Sequence, residues 1–121
     1  MMIFNEDIQL WVFLSTLHFW INILLAENFP AWYFLFFYKQ VGKNYYWTDW
    51  LRKTDDEINE FVDDKNVLLY TLIKDGWPVG FYMLDYRIKD ICDLSFFGLV
   101  NEVIGIGLGK YLLQTAILLS L

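Results

Sequence analysis

Hydrophobic residues along the chain fall into two patterns, continuous β-rich runs and runs with helical spacing. Val67–Lys74 and Pro78–Arg87 are rich in branched and aromatic residues, and the Asp75-Gly76 pair between them is typical of a two-residue β-hairpin. Two further runs have the same character, Phe19–Glu27 near the start and Ile91–Val100 after the hairpin. The pattern therefore predicts four strands, of which the second and third form a hairpin.

Three other segments predict helices. Pro30 precedes Ala31–Val41. Proline is favoured at the start of a helix because an N–H group there would have no partner inside the helix, so its absence costs nothing. Residues Thr54–Glu57 (TDDE) have the form of a capping box, and an apolar stripe follows at Ile58, Phe61 and Val62. Lys110–Leu121 has helical composition and is apolar around nearly its whole circumference. The order β-α-α-β-β-β-α predicts an α/β fold, in which a mostly antiparallel sheet is flanked by helices.

Composition and charge narrow the class of protein. The 121 residues suffice for one domain, and a hydrophobic content of 57% with 21% aromatics predicts a packed core rather than disorder. The nine Lys and Arg are scattered and the net charge is −6, so the sequence predicts no nucleic-acid partner. With one Cys and one His it predicts neither a disulfide nor a metal site. The lone thiol, Cys92, fits a reducing cytoplasmic location.

The start of the chain leaves two interpretations open. Ile8–Ala26 contains no charged residue and is long enough to cross a bilayer as a helix. Several polar residues interrupt it, and acidic residues precede it where a signal peptide would be positive. One interpretation is a small membrane-associated protein with a span over residues 8–26. The other is a buried strand that follows an apolar lead-in over residues 1–18.

Candidate chemistry lies between the last predicted strand and the last predicted helix. Gly105, Gly107 and Gly109 alternate there, and glycine allows tight turns and close approach of a ligand to the backbone. Free backbone N–H groups and the positive end of the helix dipole predict an anion site, best matched by phosphate. A structural loop with packing glycines is the alternative. Tyr111 after Lys110 excludes a Walker A loop, and the preceding hairpin excludes a dinucleotide-binding βαβ unit.

Phe96–Leu113 (FFGLVNEVIGIGLGKYLL) resembles the acetyl-CoA motif of the GNAT superfamily of N-acetyltransferases, [QR]-x-x-G-x-[GA]. Its first position falls on Ile104, and its glycines fall on Gly107 and Gly109. Tyr45–Lys53 is also similar to a region of a bacterial branch of that superfamily. Ile104 replaces the usual Gln or Arg, so one polar side chain is lost while the amide contacts remain. The resemblance implies an acetyl-CoA site made by Leu99, Val100, Ile104, Gly105, Ile106, Gly107, Leu108, Gly109 and Lys110.

The resemblance also implies an activity, the transfer of an acetyl group to a primary amine of a small molecule or a protein. Asp93 matches the strand carboxylate that acts as general base in some members, and Glu102 is a weaker candidate. A solvated strand-end carboxylate is the alternative for Asp93. Residues 19–121 match a partial domain that lacks the last strands and the fourth helix of the superfamily. We therefore expect weak or absent turnover, self-association through an exposed sheet edge, or a non-catalytic interaction fragment.

Overall fold

The computed structural model describes residues 21–121, which form one antiparallel sheet and three α-helices. The strands are β1 (Ile21–Ala26), β2 (Val67–Lys74), β3 (Trp77–Asp85) and β4 (Asp93–Leu99). The helices are α1 (Ala31–Gly42), α2 (Asp55–Asp63) and α3 (Leu108–Ser120), and short 3-10 helices span Asp49–Arg52 and Asn101–Val103. Strand order in the sheet is β1-β2-β3-β4, and each neighbouring pair is antiparallel. The predicted α/β class and element order are confirmed.

The hairpin between β2 and β3 forms as predicted. Lys74 pairs with Trp77, so the loop consists of Asp75 and Gly76 alone. Both loop residues have positive φ, 53° and 91°, as a type I′ turn requires. The turn twists in the same sense as the two strands and fixes the pairing of the residues next to it. Farther along, the register shifts by one residue at Val79, since Leu72 pairs with Gly80 and Ile73 with Pro78.

The capping box that was predicted for α2 is present in full. The Glu57 N–H donates to Thr54 Oγ1 at 3.2 Å, and the Thr54 N–H donates to Glu57 Oε1 at 3.0 Å. Two N–H groups that have no partner inside the helix are thereby satisfied. Behind this cap, Ile58, Phe61 and Val62 are buried, so the predicted stripe does face the core.

Hydrophobic cores lie on both faces of the sheet. One lies under α1 and α2 and is dominated by aromatic side chains, with Phe34, Phe37, Tyr38, Phe61 and Phe81 among its buried members. The other lies under α3 and contains Leu72, Tyr82, Leu84, Leu99, Leu112 and Ala116. The sheet can bury both faces because successive side chains of a strand point to opposite faces, and apolar residues occupy both sets of positions. The described residues therefore form three layers, with β4 at one edge of the central one.

Three predicted boundaries are wrong by two residues. The strand predicted over Pro78–Arg87 ends already at Asp85. The strand predicted over Ile91–Val100 begins only at Asp93, because the chain turns just before it. In that turn the Ile91 N–H donates to the Ile88 carbonyl, and Asp90 has a φ of 64°. The helix predicted over Lys110–Leu121 begins earlier, at Leu108, since its N-cap is Gly107.

The membrane span that was the alternative interpretation of residues 8–26 would lie mostly outside the described residues. The last part of this range, Ile21–Ala26, forms strand β1, which pairs with β2. Ala26 lies opposite Leu69, and Ile21 lies opposite Lys74. This segment is therefore not helical. Among residues 21–121 no helix combines the length and the apolar character needed to cross a bilayer.

Candidate functional site

The glycine loop, residues 104–107, connects the end of β4 to the start of α3. Its entry is anchored at two points: the Val100 N–H donates to the Val79 carbonyl at 2.8 Å, and Val103 is buried in the core under α3. Ile104 through Gly107 are all exposed. An exposed turn thus follows a fixed entry and leads directly into a helix N-terminus.

Backbone conformation explains two of the three glycines. Gly105 and Gly107 have φ values of +94° and +89°, in the left-handed region that other L-residues rarely adopt. A Cβ added at either position would meet no atom within 4 Å. A glycine that is needed for packing has different surroundings, since a Cβ at Gly98 would overlap the Val41 side chain. The loop glycines are therefore conformational, and the space next to their backbone is open.

Gly109 has a third role. It lies inside the first turn of α3, and a Cβ there would meet only Leu99, at an ordinary 3.7 Å. The N–H groups of this first turn, from Leu108 to Lys110, have no intrahelical acceptor, and they carry the positive end of the helix dipole. Lys110 is exposed in the same turn and adds a cation. The arrangement suits an anion.

The predicted cofactor-binding residues are close together in the chain, but they differ in whether the side chain or only the backbone is accessible. The side chains of Leu99, Val100 and Leu108 are buried in the core under α3. Only their backbone groups could contact a ligand. Ile104 and Ile106 are exposed apolar side chains that offer no charge to a phosphate. Binding at this site would depend on the amides and on Lys110.

A β-bulge in β4 is the feature that sequence reasoning missed. Met83 pairs with Phe96, but the next residue of β3, Leu84, pairs with Leu94, so Ser95 is an extra residue. A bulge leaves the extra residue out of the ladder and increases the local twist, and bulges are common beside active sites. No residue type in β4 marks the bulge, because it exists only in the register against β3.

Asp93, the predicted general base, is the first residue of β4 and lies two positions before the bulge. It is exposed, its Oδ2 accepts a hydrogen bond from Ser95 Oγ at 3.2 Å, and it pairs with Asp85 of β3. The hypothesis of a tuned base relies on a carboxylate shielded from water, and the described residues do not shield this one. Its catalytic role stays a prediction. Glu102, the weaker candidate, is also exposed, beside the glycine loop.

Asp85, which lies opposite Asp93 in the sheet, forms an ion pair with Arg87. Arg87 donates to both of its carboxylate oxygens at 2.8–3.1 Å, and these hydrogen bonds lower the pKa of Asp85. Asp85 is thus held charged. Of the two carboxylates at this end of the sheet, Asp93 is the one without a cationic partner among the ion pairs of residues 21–121.

Comparisons with known proteins give no family for this chain. No model of a protein family matches the sequence, and no curated protein matches it either.

Proposed function

We propose that this chain is a GNAT-type N-acetyltransferase that binds acetyl-CoA at residues 104–110 and transfers its acetyl group to a primary amine. One observation carries the proposal: Gly105 and Gly107 are left-handed, exposed and free of neighbours, directly before the N-terminus of α3. A loop of this form presents consecutive backbone N–H groups to an anion. The pyrophosphate of acetyl-CoA is an anion of this kind.

The bulged edge strand supports the same proposal. Leu99 and Ser95 are four residues apart in β4, which corresponds to roughly 13 Å at about 3.3 Å per residue. The strand thus provides an extended backbone edge between the glycine loop and the bulge, along which the pantetheine arm would lie. The thioester would then be held near Ser95, within a few residues of Asp93.

The reaction implied is direct transfer. The neutral amine nitrogen attacks the thioester carbonyl, a C–N bond forms, the C–S bond breaks, and the thiolate of CoA leaves. One proton is lost from the amine nitrogen, to Asp93 or to water, and the thiolate takes up a proton to give free CoA. Backbone N–H groups near the bulge would stabilise the negative charge that develops on the carbonyl oxygen.

A matched pair of substitutions tests the cofactor site. Gly107→Glu places a side chain and a negative charge where the phosphates would lie, so we expect acetyl-CoA binding to be lost in calorimetry. Gly76→Glu is the control, because Gly76 has nearly the same φ, +91°, and equally open surroundings, but lies in the hairpin turn. Backbone strain is then alike in both variants. Equal affinity of the two variants for acetyl-CoA would exclude the site.

Binding without transfer is a second function, and the exposure of Asp93 favours it. An unshielded carboxylate is a weak general base for the proton that the attacking amine loses. Acetyl-CoA affinity in calorimetry together with no formation of free thiol in the presence of amines would identify a binding protein. Thiol release that depends on an added amine would identify a transferase.

A further inference from the structure

The two side chains that the glycine loop carries are apolar and exposed. Ile104 and Ile106 are 48% and 45% exposed, although Arg and Lys are the side chains that most often recognise phosphate. The other two residues of the loop, Gly105 and Gly107, have no side chain. An anion bound at residues 104–107 would therefore meet backbone N–H groups and apolar atoms, but no cationic side chain.

Charged side chains on either side of the loop balance each other. Within residues 101–113 the charged residues are Glu102 and Lys110. Both are exposed, Glu102 before the loop and Lys110 in the first turn of α3. Their charges cancel, and the chain as a whole has a net charge of −6. Attraction of an anion to this site therefore depends on the N–H groups and on the dipole of α3.

CoA has two phosphate groups with different requirements. Its pyrophosphate, which links pantetheine to adenosine, suits the consecutive N–H groups of a glycine loop and a helix N-terminus. Its 3′-phosphate is a separate monoester on the ribose, with a charge of about −1.5 to −2 at pH 7, and such groups are typically recognised by Arg or Lys. Lys110 is the one cation of residues 101–113, and it lies in the turn whose N–H groups would hold the pyrophosphate.

From this distribution of charge we infer that the site recognises its donor through the pyrophosphate and does not recognise the 3′-phosphate. The donor class is then the acetyl thioesters of ADP-pantetheine, with or without a phosphate on the 3′ oxygen, so acetyl-dephospho-CoA is as good a ligand as acetyl-CoA. Ile106 is the specificity-determining position, because an arginine at this exposed site would supply the missing cation. The inference rests on the proposed function, since it concerns the same site.

Calorimetry on the full chain with acetyl-CoA and acetyl-dephospho-CoA tests the inference without turnover. In the parent we expect the two affinities to agree within about 3-fold, as for a charge that stays in solvent. Ile106→Arg should raise the affinity for acetyl-CoA over acetyl-dephospho-CoA by about 10-fold, the gain from one charge-assisted hydrogen bond. The control is Ile88→Arg, because Ile88 is 65% exposed in the β3–β4 connection. It adds the same charge elsewhere and should leave the ratio of affinities as in the parent.

Three results would overturn the inference while the proposed function stands. The first is a parent that binds acetyl-CoA about 10-fold more tightly than acetyl-dephospho-CoA, which corresponds to about one phosphate contact. Loss of that preference in Lys43→Gln would identify the cation, since Lys43 precedes Asn44, whose side chain donates to Asn101 at 3.4 Å. The others are an equal gain for both ligands in Ile106→Arg and the same change of ratio in Ile88→Arg. A parent that binds neither ligand would refute the proposed function, and this inference with it.

Discussion

Two tyrosines on opposite faces of the sheet differ in how their hydroxyl groups are satisfied. Tyr33 Oη and Thr71 Oγ1 form a hydrogen bond of 2.8 Å. Tyr82 is fully buried, and its hydroxyl has no hydrogen-bond partner among the described residues. Burial raises the pKa of Tyr82 to about 12, which the nearby Thr115 hydroxyl offsets only in part. Thr115 donates its own hydrogen bond to the Leu112 carbonyl at 2.8 Å.

This difference predicts opposite effects of the same substitution. Tyr82→Phe removes a buried hydroxyl without a partner, so we expect the free energy of unfolding to stay constant or rise by about 1 kcal/mol. Tyr33→Phe breaks a hydrogen bond and should lower it by about 1 kcal/mol. Urea unfolding at pH 7 measures both. A clear loss of stability in Tyr82→Phe would show that its hydroxyl is satisfied.

The raised pKa of Tyr82 also predicts how the free energy of unfolding changes at alkaline pH in the two variants. An unfolded tyrosine ionises near its ordinary pKa of 10.0, whereas Tyr82 in the folded protein does so only near 12. The unfolded state therefore loses its proton first, and stability falls as the pH rises from about 10 to 12. In Tyr82→Phe this part of the decrease should be absent, while Tyr33→Phe should retain it.

Asp93 carries the residue-scale prediction for catalysis. If it removes the amine proton, Asp93→Asn should lower kcat/KM by on the order of 10²–10⁴ and leave acetyl-CoA affinity unchanged. Asp90→Asn is the control, because Asp90 is an exposed carboxylate nearby with a φ of 64° that asparagine also accepts. An Asp93→Asn rate within a few-fold of the parent would mean that water takes the proton.

At the scale of single elements, α2 depends on its cap because it is short and carries no basic residue in its last turn. Acidic residues occupy its first turn, where they favour the positive end of the helix dipole. The hydrogen bonds that Glu57 accepts from the Thr54 backbone and side chain lower the pKa of Glu57. The cap is therefore stronger when Glu57 is charged.

Thr54→Ala should accordingly lower the free energy of unfolding by about 1 kcal/mol at pH 7. The loss should shrink as the pH falls through the lowered pKa of Glu57, because the charged carboxylate stabilises the folded state only above that range. The control is Thr48→Ala, since Thr48 precedes a 3-10 helix without making a side-chain cap. Thermal melts of both variants between pH 7 and pH 3 provide the measurement. An equal loss of stability in Thr54→Ala and Thr48→Ala would show that the Thr54 side chain does not stabilise α2 as a cap.

At the scale of the whole molecule, the outer side of α3 is one place where residues 21–121 expose several apolar side chains next to one another. Leu112 and Ala116 face the core, whereas Leu113, Ile117 and Leu118 are 41%, 53% and 58% exposed. The prediction that α3 is apolar on more than its buried side is confirmed. Clustered apolar surface of this kind usually marks a contact site.

We therefore expect the chain to self-associate through this surface. Ile117→Glu should weaken association by roughly 5-fold, the effect of losing about 1 kcal/mol of apolar burial. Ile88→Glu is the control, because Ile88 is 65% exposed in the β3–β4 connection. Sedimentation velocity over a concentration series measures both. A parent that stays monomeric at all concentrations would show that the exposed surface of α3 makes no such contact.

Signals that act within a few residues were sufficient to predict most of the fold. The Asp75-Gly76 turn and the Thr54 capping box both formed, since each depends on backbone groups no more than three residues apart. Long apolar runs predicted all four strands. Their exact ends were less predictable, as the start of β4 depends on the turn at Asp90.

Tertiary structure decided the character of the site. The sequence placed glycines between a strand and a helix. Only the folded structure shows that no other residue packs against Gly105 or Gly107. The bulge at Ser95 follows from the pairing of β4 with β3, and the exposure of Asp93 is seen only in the folded chain. Register between distant strands is a property of the assembled sheet, because each residue's partner is fixed by the sum of all the pairings and not by its own type.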